Sequence, residues 1–222
     1  MGGVLEIMGG ACRSMTIIPS AHAPRDVYRL MTAMIVPRPI AFVSTLSGTG
    51  VRNLAPFSFF TAVSANPPVV CFSPMIRGAD GSKKDTLLNI EATGEFVINI
   101  VSEEFALKMN ACSAEVGPEV DEFALSGLTP GDSELVAPPR VVESHACMEC
   151  RLLQVVHVSA LPLGGSLVLG EVLLFHADEG LFDNFSLPPG RLRPIGRMGG
   201  STYARTTDRF EMPRPSPGGK KG

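Results

Sequence analysis

Hydroxyl, amide and aromatic side chains are interleaved along residues 38–68, a combination that suits the binding of a flat heterocycle. The polar members are Ser44, Thr45, Asn53, Ser58, Thr61 and Ser64, and the aromatic members are Phe57, Phe59 and Phe60. Apolar faces cover such a ring, while a few placed polar groups fix its edges. The simpler alternative is a buried hairpin with polar turn residues at 47–50, and the stretch taken alone favours that alternative.

A second candidate site is the loop of residues 76–84, which contains two glycines and the adjacent Lys83 and Lys84. Asp85 follows as the predicted N-cap of a short helix that ends near Gly94. The unpaired amides of a first helical turn, the positive end of the helix dipole and the charge of Lys84 together favour an anion. The alternative is a solvated loop before a capped helix, and both interpretations stay open at this point.

The cysteine and histidine patterns do not predict a metal site. Cys147 and Cys150 form a C-x-x-C pair within a predicted strand, where residues three apart point to opposite faces. No second pair completes a zinc site. The four histidines are dispersed; His157 and His176 lie on predicted neighbouring strands, which allows them to meet, although structural roles are favoured.

The composition indicates one globular domain in a reducing compartment. The chain has 222 residues, of which 45% are hydrophobic and 18% charged, as in folded domains. A formal net charge of −3 argues against a nucleic acid or a membrane surface as the main partner. Five cysteines, an odd number at irregular spacing, indicate free thiols. With no signal peptide or apolar run of transmembrane length, we expect a cytoplasmic protein.

Short strands joined in hairpins, with small helices between them, must position the candidate residues. Apolar runs predict strands at 39–45, 54–63, 69–73, 95–101, 146–158 and 166–177, and helical spacing predicts helices at 26–33, 85–94, 102–112 and 120–125. This order favours an antiparallel barrel over a doubly wound α/β sheet. Glu149, Arg151 and His157 are predicted on the wetter face of their strand.

The chain is predicted to have three parts. Residues 1–24 are rich in small residues and are expected to form a flexible N-terminal arm. Residues 25–211 hold the predicted strands and helices and form the domain. Residues 212–222 consist of Pro, Gly, Ser, Lys, Arg and one Met, so we expect a disordered tail.

Seven short motifs in order along residues 36–210 carry a resemblance to a known family. They read RPIAFVST, NLAPFSFF, SANPP, KDTLLNI, GEFVINIV, LVLGEV and RPIGRMGG. Each motif alone is weakly specific, but their joint order and spacing resemble the flavin reductase-like family of FMN-binding split barrels, which includes the flavoredoxins. The resemblance covers nearly the whole predicted domain.

The resemblance implies a fold and a set of site residues. The fold would be a split β-barrel, mainly β with antiparallel strands and inserted helices, and a homodimer with FMN near the subunit interface. The positions that match the family's cofactor contacts are Ser44, Thr45, Asn53, Pro56, Ser58 and Phe60, with Lys84, Asp85 and Thr86 at the phosphate. Asp85 is better interpreted as a helix cap than as a phosphate ligand, since two anions repel. The segment 199–205 is a further candidate to cover the flavin.

The resemblance also implies two alternative functions. One is an FMN-dependent oxidoreductase of the NAD(P)H:flavin reductase type, in which the cofactor carries the chemistry and we expect no catalytic side chain. The other is a flavoredoxin-type electron carrier that a partner protein reduces. Similar short flavin reductases often carry a histidine in a turn that here reads Gly165, Ser166, Leu167. That departure puts direct oxidation of NAD(P)H in doubt and keeps the carrier role open.

Overall fold

The computed structural model describes residues 14–215, and this part of the chain contains four short helices. They are α1 (Pro24–Met34), α2 (Asp85–Thr93), α3 (Ala106–Ala111) and α4 (Glu122–Ser126), with 3₁₀ turns at Pro19–Ala21 and Glu103–Phe105. Each helix coincides with a segment predicted to be helical, although the predicted helix at 102–112 begins as a 3₁₀ turn. None of the helices in the described residues is long and apolar enough to cross a membrane.

Eleven strands are present in the described part of the chain, and seven of them form one sheet. They are β1 (Ala41–Leu46), β2 (Arg52–Phe57), β3 (Phe60–Ala65), β4 (Pro68–Phe72), β5 (Glu95–Ile100), β6 (Pro130–Gly131), β7 (Arg140–Val141), β8 (Ala146–His157), β9 (Ser166–Ala177), β10 (Ile195–Arg197) and β11 (Tyr203–Arg205). The large sheet has the order β2-β1-β5-β8-β9-β4-β3, and all neighbours are antiparallel. The predicted mainly β, antiparallel class is confirmed.

The predicted strand at 54–63 is wrong as a single element. The chain leaves β2 at Phe57 and enters β3 at Phe60, and these two strands form opposite edges of the sheet. Only Ser58 and Phe59 join them, so the two edges must approach each other and the sheet must curl into a barrel. The corner contains neither glycine nor proline, and Pro56, two residues earlier, lies within β2, so periodicity did not reveal the break.

The interior of the barrel is filled by large apolar side chains. Phe72 lies at its centre, with ring centroids 5.0 Å from Phe57 and 5.7 Å from Phe96. A Cβ atom built on Gly170 of β9 would lie 2.3 Å from Phe96 Cζ, so the absence of a side chain at this position gives that ring its space. Helix α2 packs Leu87 and Ile90 against the same cluster, and this contact fixes the position of its N-terminus.

A second apolar cluster holds α3 and α4 against the sheet. Phe42 and Leu54, from β1 and β2, pack with Phe105, Met109 and Phe123, and all five are nearly or fully buried. The cluster therefore places α4 and the loop after α3 beside the end of β2.

The β8–β9 hairpin is confirmed, but the expectation that Glu149 lies on the wetter face is wrong, and the less favoured alternative of a contact between the two histidines is excluded. Glu149 is fully buried, because the loop at 134–136 covers it and donates three backbone N–H groups to its carboxylate. His157 pairs with Ser166 at one end of the hairpin and His176 with Cys147 towards the other, so the histidines do not meet. The sequence did not show which loop covers which face of the strand.

The two cysteines of the C-x-x-C pair are buried in different clusters. Cys150 packs in the barrel interior, whereas Cys147 packs with Val97 and Val136. Burial raises the pKa of Cys147 to about 11, so its thiol stays protonated. The expectation that the pair points to opposite faces is confirmed.

Residues 1–13 of the predicted arm and 216–222 of the predicted tail lie outside the described residues. Within the rest of those two segments, the described part of the arm contains a single 3₁₀ turn, and 212–215 contain no helix or strand.

Candidate functional site

A cleft of about 200 Å³ opens where the end of β2, the N-terminus of α2 and the loop after α3 converge. We call it the main cleft. Six of the nine predicted cofactor residues line it, namely Asn53, Pro56, Ser58, Lys84, Asp85 and Thr86. The two candidate stretches of the sequence, the hairpin at 38–68 and the loop before α2, therefore meet in one place.

Ser44, Thr45 and Phe60 do not line this cleft. The Ser44 hydroxyl donates to the carbonyl of Pro139, and Phe60 packs against the barrel core. Thr45 is fully buried, and its hydroxyl donates to Asn53 Oδ1 over 3.2 Å. A direct contact of these three residues with a cofactor stays a prediction; what Thr45 does in the structure is to hold Asn53.

The side chain of Asn53 is fixed by a buried polar network. Its Nδ2 donates to Glu122 Oε1 at 2.9 Å, and its Oδ1 accepts the Thr86 hydroxyl at 2.7 Å. Glu122 also accepts the backbone N–H of Leu54 at 3.1 Å, and burial raises the pKa of its carboxyl. The network joins β2, α2 and α4, so it sets the relative positions of three walls of the cleft.

The N-terminus of α2 lies in the cleft and offers unpaired backbone donors. Leu87 and Leu88 donate their N–H groups to the Lys84 carbonyl, which leaves the first-turn N–H groups of Asp85 and Thr86 without an acceptor among the described residues. The predicted N-cap is displaced by one residue: Lys84 occupies the cap position, and Asp85 is the first helical residue. The Asp85 carboxylate accepts Arg77 Nη2 at 2.6 Å instead of capping the helix.

Arg77 is the functional candidate that the sequence interpretation missed. It lines the cleft, and among the described residues its buried Nε has no hydrogen-bond partner. Lys84 also lines the cleft, whereas Lys83 pairs with Glu91 at 2.7 Å. Arg77, Lys84 and the two amides at the start of α2 offer converging donors for an oxyanion, while the carboxylates of Asp85, Glu115 and Glu122 also line the cleft. The signal available in the sequence was that Arg77 lies in the same loop as the two lysines.

The cleft also has aromatic walls. Tyr28 of α1 lies with its ring centroid 6.3 Å from that of Phe59, and both line the cleft beside Phe57. Cys112 lines it too, and burial raises the pKa of its thiol to about 11. Tyr28 and Cys112 are distant from the hairpin in sequence, and no local pattern connected them with it.

The segment 199–205 does not line the main cleft. Its hairpin, β10–β11, approaches α1 at Gly199, where an added Cβ would lie 3.7 Å from the Cα of Ala33, and it meets α3 through Tyr203, 3.4 Å from Asn110 Oδ1. Whether this segment covers a bound cofactor stays a prediction.

Comparison with known proteins identifies the class of protein that this fold and cleft define. The family model described as "Flavin reductase like domain" matches residues 32–196. The chain belongs to this flavin reductase-like family, and the resemblance found in the sequence motifs is confirmed.

Three solved structures show how far the similarity extends. Nitrilotriacetate monooxygenase component B from Bacillus cereus is 34% identical with a TM-score of 0.86, covering 91% of this chain and 100% of that one. The 2-nitrobenzoate 2-nitroreductase of Pseudomonas fluorescens is 31% identical with a TM-score of 0.79, covering 90% and 96%. The flavoredoxin of Desulfovibrio vulgaris (Miyazaki F) shares the fold at 22% identity, with a TM-score of 0.68 and coverage of 80% and 91%. A flavin reductase-type structure from Shewanella frigidimarina that is described as having a split barrel domain has a TM-score of 0.76 to this chain, which confirms the split-barrel fold.

Proposed function

We propose that this protein binds FMN in the main cleft and acts as an FMN-dependent oxidoreductase of the NAD(P)H:flavin reductase type. The observation that carries the proposal is the oxyanion site formed by Lys84, Arg77 and the first amides of α2 at one end of the cleft. Membership of the flavin reductase-like family supports it, as does similarity to two proteins that are oxidoreductases by name.

The donor set fits a terminal phosphate. A phosphomonoester carries close to two negative charges at neutral pH, and the Nε of Arg77 and the ammonium of Lys84 supply charged donors for it. The Thr86 hydroxyl already donates to Asn53, so Thr86 would contribute its backbone N–H. A phosphate at the end of the ligand favours FMN over FAD, whose phosphates lie between two organic groups.

The remaining residues of the cleft would bind and orient the rest of the cofactor. Tyr28, Phe57 and Phe59 offer apolar surface to a ring and exclude water from it. Asn53, held by Thr86 and Glu122, presents a fixed amide. FMN, when bound, supplies the redox chemistry by taking up a hydride or single electrons and passing them on. No side chain of this chain is assigned a proton-transfer role.

One observation favours a second function, that of an electron carrier reduced by a partner protein. The turn that carries a histidine in similar flavin reductases here reads Gly165, Ser166, Leu167, and none of these three residues lines the main cleft.

Anaerobic mixing separates the two functions. FMN-loaded protein is mixed with NADH or NADPH while the flavin absorbance near its visible maximum is followed. The reductase function predicts bleaching within seconds at millimolar nucleotide. Flavin that stays oxidised with both nucleotides, yet bleaches with dithionite, would contradict the reductase function and support the carrier.

A homodimer is part of the proposal. Strand β3 forms an edge of the sheet, and five of its six residues are exposed, including Val63 at 55%. Exposed edge strands are usually covered, and a second copy of the chain would cover this one across a two-fold axis. Light scattering should report twice the mass of the chain, whereas a flavin-loaded monomer would rule the dimer out.

A cytoplasmic location is the last part of the proposal. The four cysteines in the described residues are free thiols, and three of them are buried. Unpaired cysteines of this kind support a reducing compartment.

A further inference from the structure

A second cavity, beside the main cleft, is lined by four arginines. It lies between α1, the turn after β10 and Leu163, and we call it the arginine cavity. The guanidinium groups belong to Arg25, Arg29, Arg38 and Arg197. The cavity has a volume of about 350 Å³, and none of the described residues that line it is a carboxylate.

Most of this positive charge has no protein counter-ion. Arg29 pairs with Asp26 at 3.3 Å, and both side chains are exposed. Within residues 14–215, no carboxylate lies within salt-bridge distance of Arg25, Arg38 or Arg197. The cavity therefore concentrates about three uncompensated charges, and the repulsion between them is relieved when an anion binds.

Arg38 makes the strongest case, because its charge is buried. The residue is 4% exposed. Its guanidinium donates to the carbonyls of Thr32 at 2.6 Å, Ile35 at 2.7 Å and Met198 at 2.9 Å, and to the Ser58 hydroxyl at 3.3 Å. All these acceptors are neutral. Burial lowers the pKa of Arg38, Tyr28 raises it, and neighbouring Arg197 lowers it further. A buried charge is ordinarily paired with an opposite charge, and no carboxylate among residues 14–215 pairs with Arg38.

The arginine cavity adjoins the main cleft. Tyr28 lines both. Arg38 lines the arginine cavity and bonds to Ser58, which lines the cleft. A small molecule bound by the arginines would therefore be separated from the main cleft by a single side chain.

We propose that the arginine cavity binds a small molecule that carries at least two negative charges as phosphate or carboxylate groups. Planar guanidinium forks match both kinds of oxyanion, and about three uncompensated charges suit a polyanion better than a single carboxylate. The two sources of this chemistry are the diphosphate of a nucleotide and the carboxylates of an organic polyacid. The proposal concerns residues outside the FMN phosphate site and does not rest on the proposed function.

Calorimetric titration of the purified protein tests the proposal, with pyrophosphate, ADP and citrate as probes and acetate as a singly charged control. Arg25→Gln removes one exposed charge whose side chain bonds to no other described residue, so the fold should be retained. Arg151→Gln, on the distant β8–β9 hairpin, removes one charge elsewhere. We expect binding of at least one polyanion, about tenfold weaker in Arg25→Gln and unchanged in Arg151→Gln.

The outcomes separate both the sources and the two sites. If ADP binds more tightly than citrate, the cavity is assigned to a nucleotide. If citrate binds more tightly than ADP, it is assigned to an organic acid. No binding of any polyanion at millimolar concentration, or equal weakening by both variants, would overturn the proposal. FMN titrated into the same variants should bind as it does to wild type. A loss of FMN affinity in Arg25→Gln, with pyrophosphate unaffected, would place the FMN phosphate here instead and also overturn it.

Discussion

At the scale of single residues, what the cleft can bind depends on which of its polar atoms already hydrogen-bond to other protein groups. The Thr86 hydroxyl and the Asn53 amide satisfy each other, so they shape the site more than they offer donors. Lys84 and Arg77 keep donor capacity. The sequence pointed to Lys84, Thr86 and Asn53 because each lies in a local motif. It did not indicate Arg77, Tyr28 or Glu122 as members of the site, since only the fold brings them to it.

Replacing Lys84 with Ala should weaken FMN binding about ten- to a hundredfold. The change removes one charge but leaves the amides of α2, and a charge-assisted hydrogen bond is worth roughly 1.5–3 kcal/mol. Riboflavin, which has no phosphate, should bind nearly as well as before. The measurement is titration of both ligands into apo-protein.

Lys83→Ala is the matched control for this prediction. Lys83 is the neighbouring residue, but its ammonium pairs with Glu91. Equal loss of FMN and riboflavin in Lys84→Ala, or a greater loss of FMN in Lys83→Ala, would show that the phosphate is misplaced.

At the scale of elements, the hairpins were predictable and the corner was not. Gly50, in the predicted turn between β1 and β2, has a positive φ of 84°, as tight hairpins require. Strands β8 and β9 were found within one residue of their ends. The corner at Ser58 and Phe59 left no signal, because it is imposed by barrel closure and not by a turn-forming residue.

Gly170→Ala should destabilise the barrel by about 1–3 kcal/mol, the usual cost of overpacking a filled core. The added Cβ would lie 2.3 Å from Phe96 Cζ, and that ring is fully buried. Gly48→Ala is the control, since a Cβ there meets nothing within 4 Å. Urea unfolding should show a lower midpoint for Gly170→Ala than for wild type or Gly48→Ala. Equal midpoints would contradict the prediction, because they would mean that the core accommodates the added methyl group without loss of stability.

His145 should stabilise the start of β8 in a pH-dependent way. Its ring nitrogens lie 2.7 Å from Asp178 and 2.9 Å from Glu104. The hydrogen bond to Asp178, then that to Glu104, raises the pKa of His145 above its ordinary 6.5. A raised pKa contributes stability that is fully present below the unfolded value and is lost as pH rises through the folded one.

The measurement is the difference in melting temperature between wild type and His145→Gln across pH 5.5 to 9. The difference should be largest at the acidic end of this range and shrink towards the alkaline end. A difference that is constant, or that grows with pH, would contradict the assigned charge state.

At the scale of the whole molecule, family motifs predicted more than periodicity did. Periodicity indicated antiparallel strands and helices, and the motifs indicated the split barrel that the sheet order and the solved structures confirm. Neither periodicity nor the motifs predicted that Glu149 is buried or that α1 lies beside the cleft, because these two features depend on contacts between segments distant in sequence. The arginine cavity likewise combines residues from Arg25 to Arg197.

The central claim is that the molecule holds FMN through a terminal phosphate at the N-terminus of α2. The most direct measurement is acid release of the cofactor from the purified, unsupplemented protein, followed by identification of the released compound by mass. The account predicts FMN at close to one equivalent per chain. FAD, riboflavin alone, or a colourless protein that takes up no added FMN would contradict it.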